Sequence, residues 1–118
     1  MTVEGDSGVV CRRCTVADTF GARFRGLMGR RRLAAGEGLL IRPANSIHTF
    51  FMRFPIDVVF VDRHDAVVKI VPGLRPWRLA WARRAKSTLE LRAGSCEAMG
   101  LATGARLAFA PCGEQVAR

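Results

Sequence analysis

His48 and Asp57 are the two residues of this 118-residue chain whose types and placing could carry proton chemistry. A histidine changes charge near neutrality, and a carboxylate within reach sets its tautomer or exchanges its proton. Both lie in the densest apolar stretch of the chain, His48 to Asp62, with Thr49, Phe50, Phe51, Met52, Arg53, Phe54, Pro55 and Ile56 between them. A carboxylate in such surroundings needs partners, because desolvation without hydrogen bonds costs several kcal/mol. Two readings follow. In the first, Asp57 accepts backbone N–H groups, or pairs with Arg25 or Arg53, and holds the turn at Pro55. In the second, Asp57 and His48 line a pocket mouth with Arg53, as acid and base or for anion recognition. The structural reading is the commoner one for both residues.

Cys11-Arg12-Arg13-Cys14 suggests half of a zinc site or a redox pair. A zinc site needs a second pair of ligands, and Cys96 and Cys112 are too far apart in sequence to be a knuckle of their own. A redox pair wants its first thiol at a helix N-terminus. These two cysteines read as part of one strand, where residues three apart face opposite ways. Asp62, His64 and Asp65 have ligand chemistry but the composition of a tight turn. No nucleophile elbow, phosphate-cradling glycine loop or carboxylate pair stands out. We therefore expect no metal and no cofactor, and the reading leans away from an enzyme.

Lys+Arg of 19 against Asp+Glu of 10 gives a net charge of +9, and only Lys69 and Lys86 are not arginine. That balance favours anionic partners, with a solvated arginine-rich surface as the plain alternative. Arg30-Arg31-Arg32 and the Trp77 to Lys86 segment combine guanidinium groups with indoles, the chemistry for stacking on bases or seating at a membrane interface. Trp77 and Trp81, four apart, also read as anchors of their loop on the core. The candidate ligand-binding positions are Arg25, Met52, Arg53, Asp57, Trp77, Arg78 and Trp81.

The elements that would position these residues can be read in order. Residues 9–16 form a first strand, rich in β-branched residues. A short helix then starts at Asp18 or Thr19. Its residues Phe20, Phe24, Leu27 and Met28 share one face that covers the core, and it ends near Gly29. Gly21 and Gly26 inside it call for a packing or functional reason. After a polar connection, Leu39-Leu40-Ile41 is a strand stopped by Pro43. Residues 47–52 and 56–61 are two central strands, and 62–65 turn into a returning strand at 66–71. Residues 72–85 read as a long loop, a site candidate by its length. Residues 87–92 alternate as a half-buried strand, Ser95 caps a short helix, and 106–110 close the fold. The expectation is a single domain over 1–118, with its core at about 9–110 and flexible tails at 1–8 and 111–118. No apolar run approaches the length of a membrane span, and the acidic, polar N-terminus lacks the pattern of a secretory signal. A cytoplasmic protein with reduced thiols is expected.

Arg25-Gly26-Leu27-Met28, then the His48 to Asp62 stretch, then Leu89-Glu90-Leu91 with Ala93-Gly94, resemble in their order the family known as domain of unknown function 192. The blocks span residues 23–109. The resemblance implies a small α+β domain, mainly an antiparallel sheet curled toward a small barrel with two short helices packed against it, and it implies no biochemical activity. The chain departs from the family's commoner form in reading Phe51-Met52-Arg53-Phe54 where Trp-Met-Lys-Asn is usual, and in placing Ala105 after Gly104 where an acidic residue is common. Many relatives look exported.

The sequence thus points first to a small non-enzymatic binding module that recognises an anionic ligand or a protein partner. A small enzyme using His48 and Asp57 as acid and base is the second reading, and nucleic-acid binding through an Arg/Trp-rich surface is the third.

Overall fold

The computed structural model describes residues 1–6 and 8–110. In chain order the elements are β1 (Thr2–Gly5), β2 (Gly8–Cys11), β3 (Arg13–Ala17), α1 (Phe20–Arg25), β4 (Glu37–Ile41) and β5 (Ser46–His48). There follow β6 (Ile56–Val61), β7 (Val67–Leu74), β8 (Leu79–Trp81), β9 (Ser87–Arg92), α2 (Ser95–Met99) and β10 (Ala108–Ala110). The principal sheet has the order β3-β4-β9-β6-β7, and two smaller sheets are β10-β1-β2 and β5-β8. All pairings are antiparallel except β3 with β4. The sheets curl without closing into a barrel.

The centre of the principal sheet explains the apolar run that dominates the sequence. All six residues of β6 are buried. Ile56, Val58 and Phe60 pack with Leu27, Leu39 and Ile41 on one face, while Val59 and Val61 pack with Leu40, Leu89 and Leu91 on the other. A strand covered on both faces carries a continuous apolar run instead of alternation. The same position governs β9, which lies between β4 and β6 and buries Thr88 and Glu90 as completely as Leu89 and Leu91. The half-buried strand expected there is in fact buried on both faces.

Several other expectations are corrected. The helix stops at Gly26, which caps it at φ +50, and none of its six residues is buried. Phe20 and Phe24 are 78% and 61% exposed, so α1 does not cover the core, and Leu27, just past its end, supplies the burial instead. The first strand is broken at Arg12, where the N–H groups of Arg12 and Arg13 both donate to the Gly36 carbonyl. The strand expected over 47–52 ends at His48 and pairs with β8 away from the principal sheet. The expected loop at 72–85 is partly strand: β7 runs on to Leu74 and β8 spans Leu79–Trp81. Residues 2–5, expected in a flexible tail, form the middle strand of a sheet with Val3 fully buried. The tail expected at 111–118 lies outside the described residues.

Candidate functional site

A cleft of about 380 Å³ opens between α1, the end of β4 and β5, lined by Phe20, Arg23, Phe24, Pro43, Ser46 and His48 among others, with Glu90 reaching it from β9. Glu90 is 2% exposed, and its Oε1 has no hydrogen-bond partner among the described residues. Its register sets its direction. Glu90 stands opposite Leu39 on one side and Val58 on the other, so it projects on the apolar face those two residues share. Desolvation there pushes its carboxyl up to about 8, leaving it protonated at neutrality. Sequence reasoning passed Glu90 over as the polar half of an alternation. The signal that could have found it was the position of this strand among apolar runs on all sides.

His48 forms the other end of the same cleft, where both ring nitrogens are engaged. Nδ1 accepts the Phe50 N–H at 3.1 Å, so Nε2 carries the proton and donates to the Phe24 carbonyl at 3.0 Å. The histidine thereby ties β5 to α1. It also begins a continuous aromatic row, with ring-centroid separations of 5.3 Å from Phe24 to His48, 5.0 Å from His48 to Phe50, 5.7 Å from Phe50 to Trp77 and 4.6 Å from Trp77 to Phe51. Leu79 faces His48 across the β5–β8 pair, and Trp81 follows on the same exposed face of β8.

Two members of this row are held in an unusual backbone conformation. Phe51 has φ 65 and Trp77 has φ 64, the left-handed region that costs a bulky L-residue about 1 kcal/mol or more. Their rings touch each other and are 60% and 55% exposed, so burial does not explain the strain. Thr49 enforces it. Fully buried, Thr49 donates its hydroxyl to the Arg75 carbonyl at 2.6 Å and accepts the Arg78 N–H at 2.8 Å. Its carbonyl takes the N–H groups of both Met52 and Trp77. One small polar residue therefore pins the two aromatic loops together.

Asp57 is elsewhere. It lies on the β6 face opposite that of Val58 and Glu90, 1% exposed, with Oδ1 accepting the Gly73 N–H and Oδ2 the Cys96 N–H, each at 2.9 Å. The expected pairing of His48 with Asp57 is thus not formed, nor the one with Arg25 or Arg53. The carboxyl that shares a cleft with His48 is Glu90. Asp57 acts as a clamp between β7 and the start of α2. Its charge adds to burial in raising the Cys96 thiol to about 12.

The remaining sequence-derived positions divide. Met52 is 5% exposed inside the core and cannot meet a ligand without unpacking. Arg25, Arg53 and Arg78 are exposed and flank Phe24, Phe51 and Trp77 in sequence. Trp77 and Trp81 are exposed and do not anchor a loop on the core. Lys69 donates to the Trp81 carbonyl at 2.8 Å and stands 5.8 Å from its ring centroid. With Arg83 and Arg84 these two residues line a separate, open depression that none of Arg30, Arg31 and Arg32 reaches. Arg30 pairs with Glu37 at 3.1 Å.

The break at Arg12 brings the Cys11 and Cys14 thiols together, against the expectation that they face apart. The Cys14 thiol donates to the Cys11 sulfur, which lowers the Cys11 thiol and, with burial, raises that of Cys14. Both are free and buried, as is Cys96, and Cys112 lies outside the described residues. No cluster of three or more His, Cys, Asp or Glu side chains occurs among the described residues. The turn at Asp62 is as expected: Oδ1 accepts the His64 and Ala66 N–H groups, which lowers its carboxyl. No helix among the described residues is long and apolar enough to cross a membrane.

Comparison with known proteins places this architecture. A UPF0127 protein of Pyrococcus furiosus is 39% identical over 95 residues, covering 77% of this chain and 81% of its own length. A UPF0127 protein of Thermococcus sibiricus is 41% identical over 70 residues, 56% of this chain and 45% of the relative. The crystal structure of a protein of unknown function from Novosphingobium aromaticivorans superposes with a TM-score of 0.82 at 25% identity, covering 92% of this chain and 82% of that one. The model of the family DUF192, described as "Uncharacterized ACR", matches residues 1–109, and the chain with its curled sheets and two short helices belongs to that family.

Proposed function

We propose that this protein is a non-enzymatic binding module that docks an acidic segment of a partner protein bearing exposed apolar side chains. The observation that carries this reading is the aromatic row from Phe24 to Phe51, continued by Leu79 and Trp81: Phe24, Phe51 and Trp77 stay exposed beside half-buried His48 and Phe50, and two of the exposed members are held at positive φ. Monomeric proteins seldom leave contiguous apolar surface of this kind uncovered, and aromatic residues dominate the energetics of interfaces. Arg25 and Arg78 are the chain neighbours of Phe24 and Trp77, and Arg53 and Arg75 lie two residues from Phe51 and Trp77; all four are exposed and none is within 4.0 Å of a carboxylate among the described residues, so a docking segment that brings Asp or Glu gains charge complementarity.

Nucleic acid fits this surface less well. Stacking needs free ring faces, whereas here Phe24 tilts against His48 at 51° and Phe51 against Trp77 at 58°. The enzyme reading loses its acid–base pair, since Asp57 is spent on two backbone amides. The cytoplasmic setting expected from the sequence belongs to this proposal, and the free thiols of Cys11, Cys14 and Cys96 accord with it.

The test is fluorescence anisotropy with labelled peptides that combine Asp and Glu with Leu and Phe, beside basic peptides and single-stranded oligonucleotides. The acidic apolar peptides should bind, weaken as salt rises, and lose binding when Phe51 and Trp77 are both replaced by Gly, a change that relieves backbone strain and leaves the core intact. Binding to oligonucleotides alone, or peptide binding that survives the double replacement, would overturn the reading.

A further inference from the structure

The Glu90 cleft is distinct from the docking row, although Phe24 and His48 border both, and its chemistry is different. Its base is a carboxyl buried to 2% exposure with an oxygen that no group among the described residues satisfies. Nearly all buried polar atoms in native proteins have partners, so an orphan at the base of an open cleft is a group waiting for one. The cleft's volume of about 380 Å³ lies within the range of small-molecule sites, and its mouth carries the exposed rings of Phe20 and Phe24.

We propose that this cleft binds a small planar ligand with a cis-amide edge, a carbonyl oxygen and an N–H side by side as in a lactam or pyridone ring, and that the Glu90 carboxyl reads both. A protonated carboxyl offers one O–H donor and one carbonyl acceptor on the same edge. A cis-amide matches them as a pair. A ligand carboxylate brings two acceptors and leaves the Glu90 carbonyl oxygen facing lone pairs. An ammonium brings donors only and requires the buried carboxyl to ionise, in a cleft that also carries Arg23 and in a chain of net charge +9. The protonated state this requires at neutrality agrees with the effect of burial on the group.

The experiment is an NMR titration of the isotope-labelled full chain with four probes: 2-pyridone, N-methyl-2-pyridone, benzoate and benzylamine. With 2-pyridone, the amides of Phe24, Asn45 and His48 should shift saturably at neutral pH. N-methylation, which removes the donor, should weaken binding about tenfold, the value of one hydrogen bond to a buried group. Affinity should fall about tenfold per pH unit above the carboxyl's own titration, as linkage to one proton requires. Glu90→Gln keeps a donor and an acceptor on the same edge, so it should bind 2-pyridone about as well as wild type and without pH dependence. Glu90→Leu should not bind it. The proposal is overturned if 2-pyridone causes no saturable shift in wild type, if it binds Glu90→Leu, if benzoate binds more tightly than 2-pyridone, or if benzylamine binds and tightens as pH rises. Should Glu90→Leu fail to fold, Glu90→Gln and the N-methyl probe decide between the same outcomes. Because Phe51 and Trp77 do not line the cleft, their double replacement should leave pyridone binding unchanged, so the two proposals fail separately.

Discussion

Replacing Glu90 by Gln should stabilise the protein, and by an amount that depends on pH in a defined way. Burial raises the folded-state carboxyl from 4.5 to about 8, with desolvation as the cause. A carboxyl with a raised folded-state pKa contributes most to stability below the unfolded value, where both states hold the proton. As pH rises past 4.5 the unfolded chain releases its proton while the folded chain keeps it, so stability falls until the folded group also ionises near 8. Each pH unit in this window corresponds to about 1.4 kcal/mol, and the whole window to something on the order of 5 kcal/mol. Glutamine has nearly the same shape and carries no proton to lose. Urea denaturation followed by the fluorescence of Trp77 and Trp81, run on both proteins at intervals from about pH 4 to 9, isolates the effect, since every other titrating group cancels in the difference. The advantage of Glu90→Gln should be flat below the window, grow by about 1.4 kcal/mol per unit within it and level off above. A difference that stays constant across the series would refute the burial of an uncompensated carboxyl at this position.

Other expectations rest on single contacts. Thr49→Val removes the hydroxyl that binds the Arg75 carbonyl and the Arg78 N–H; it should cost about 2–3 kcal/mol in urea melts and speed hydrogen exchange at the Trp77 and Arg78 amides, whereas unchanged exchange would deny Thr49 its role in holding the two loops. Asp57→Asn turns an amide NH₂ toward one of the two N–H groups the carboxylate now receives; a loss of about 2–4 kcal/mol is expected by denaturation, and a neutral result would show that the clamp between β7 and α2 is dispensable. Gly38→Ala would bring a Cβ within 2.8 Å of the Cys11 sulfur and 3.0 Å of the Glu90 carbonyl oxygen. Backbone cannot yield there as a side chain would, so thermal melts should show a loss of about 1–3 kcal/mol.

Much of the secondary structure was legible because it rests on local chemistry. The run Ile56 to Val61 is a strand by its β-branched and aromatic content, and Asp62 forms a turn through its own carboxylate. The order of the blocks Arg25-Gly26-Leu27-Met28, His48 to Asp62 and Leu89-Glu90-Leu91 also sufficed to indicate the family and its curled sheet. The helix at Phe20 was legible as a helix, since Thr19 caps it. Its burial was not, because periodicity shows which residues share a face and not what that face meets.

The sequence by itself determined the central strand at Ile56 to Val61, the turn at Asp62 and a net charge of +9, since these follow from each residue's own geometry and charge. Only the tertiary structure decided the site. His48 and Asp57 are near in sequence yet end on different partners, because strand parity turns Asp57 to the face of the sheet away from Glu90. Glu90 is far from His48 in sequence yet lines the same cleft, because β9 inserts between β4 and β6 and burial on both faces leaves its Oε1 without a partner among the described residues. Which polar group is left uncompensated depends on what packs against it from every side, and that information is distributed over strands the chain brings together only on folding.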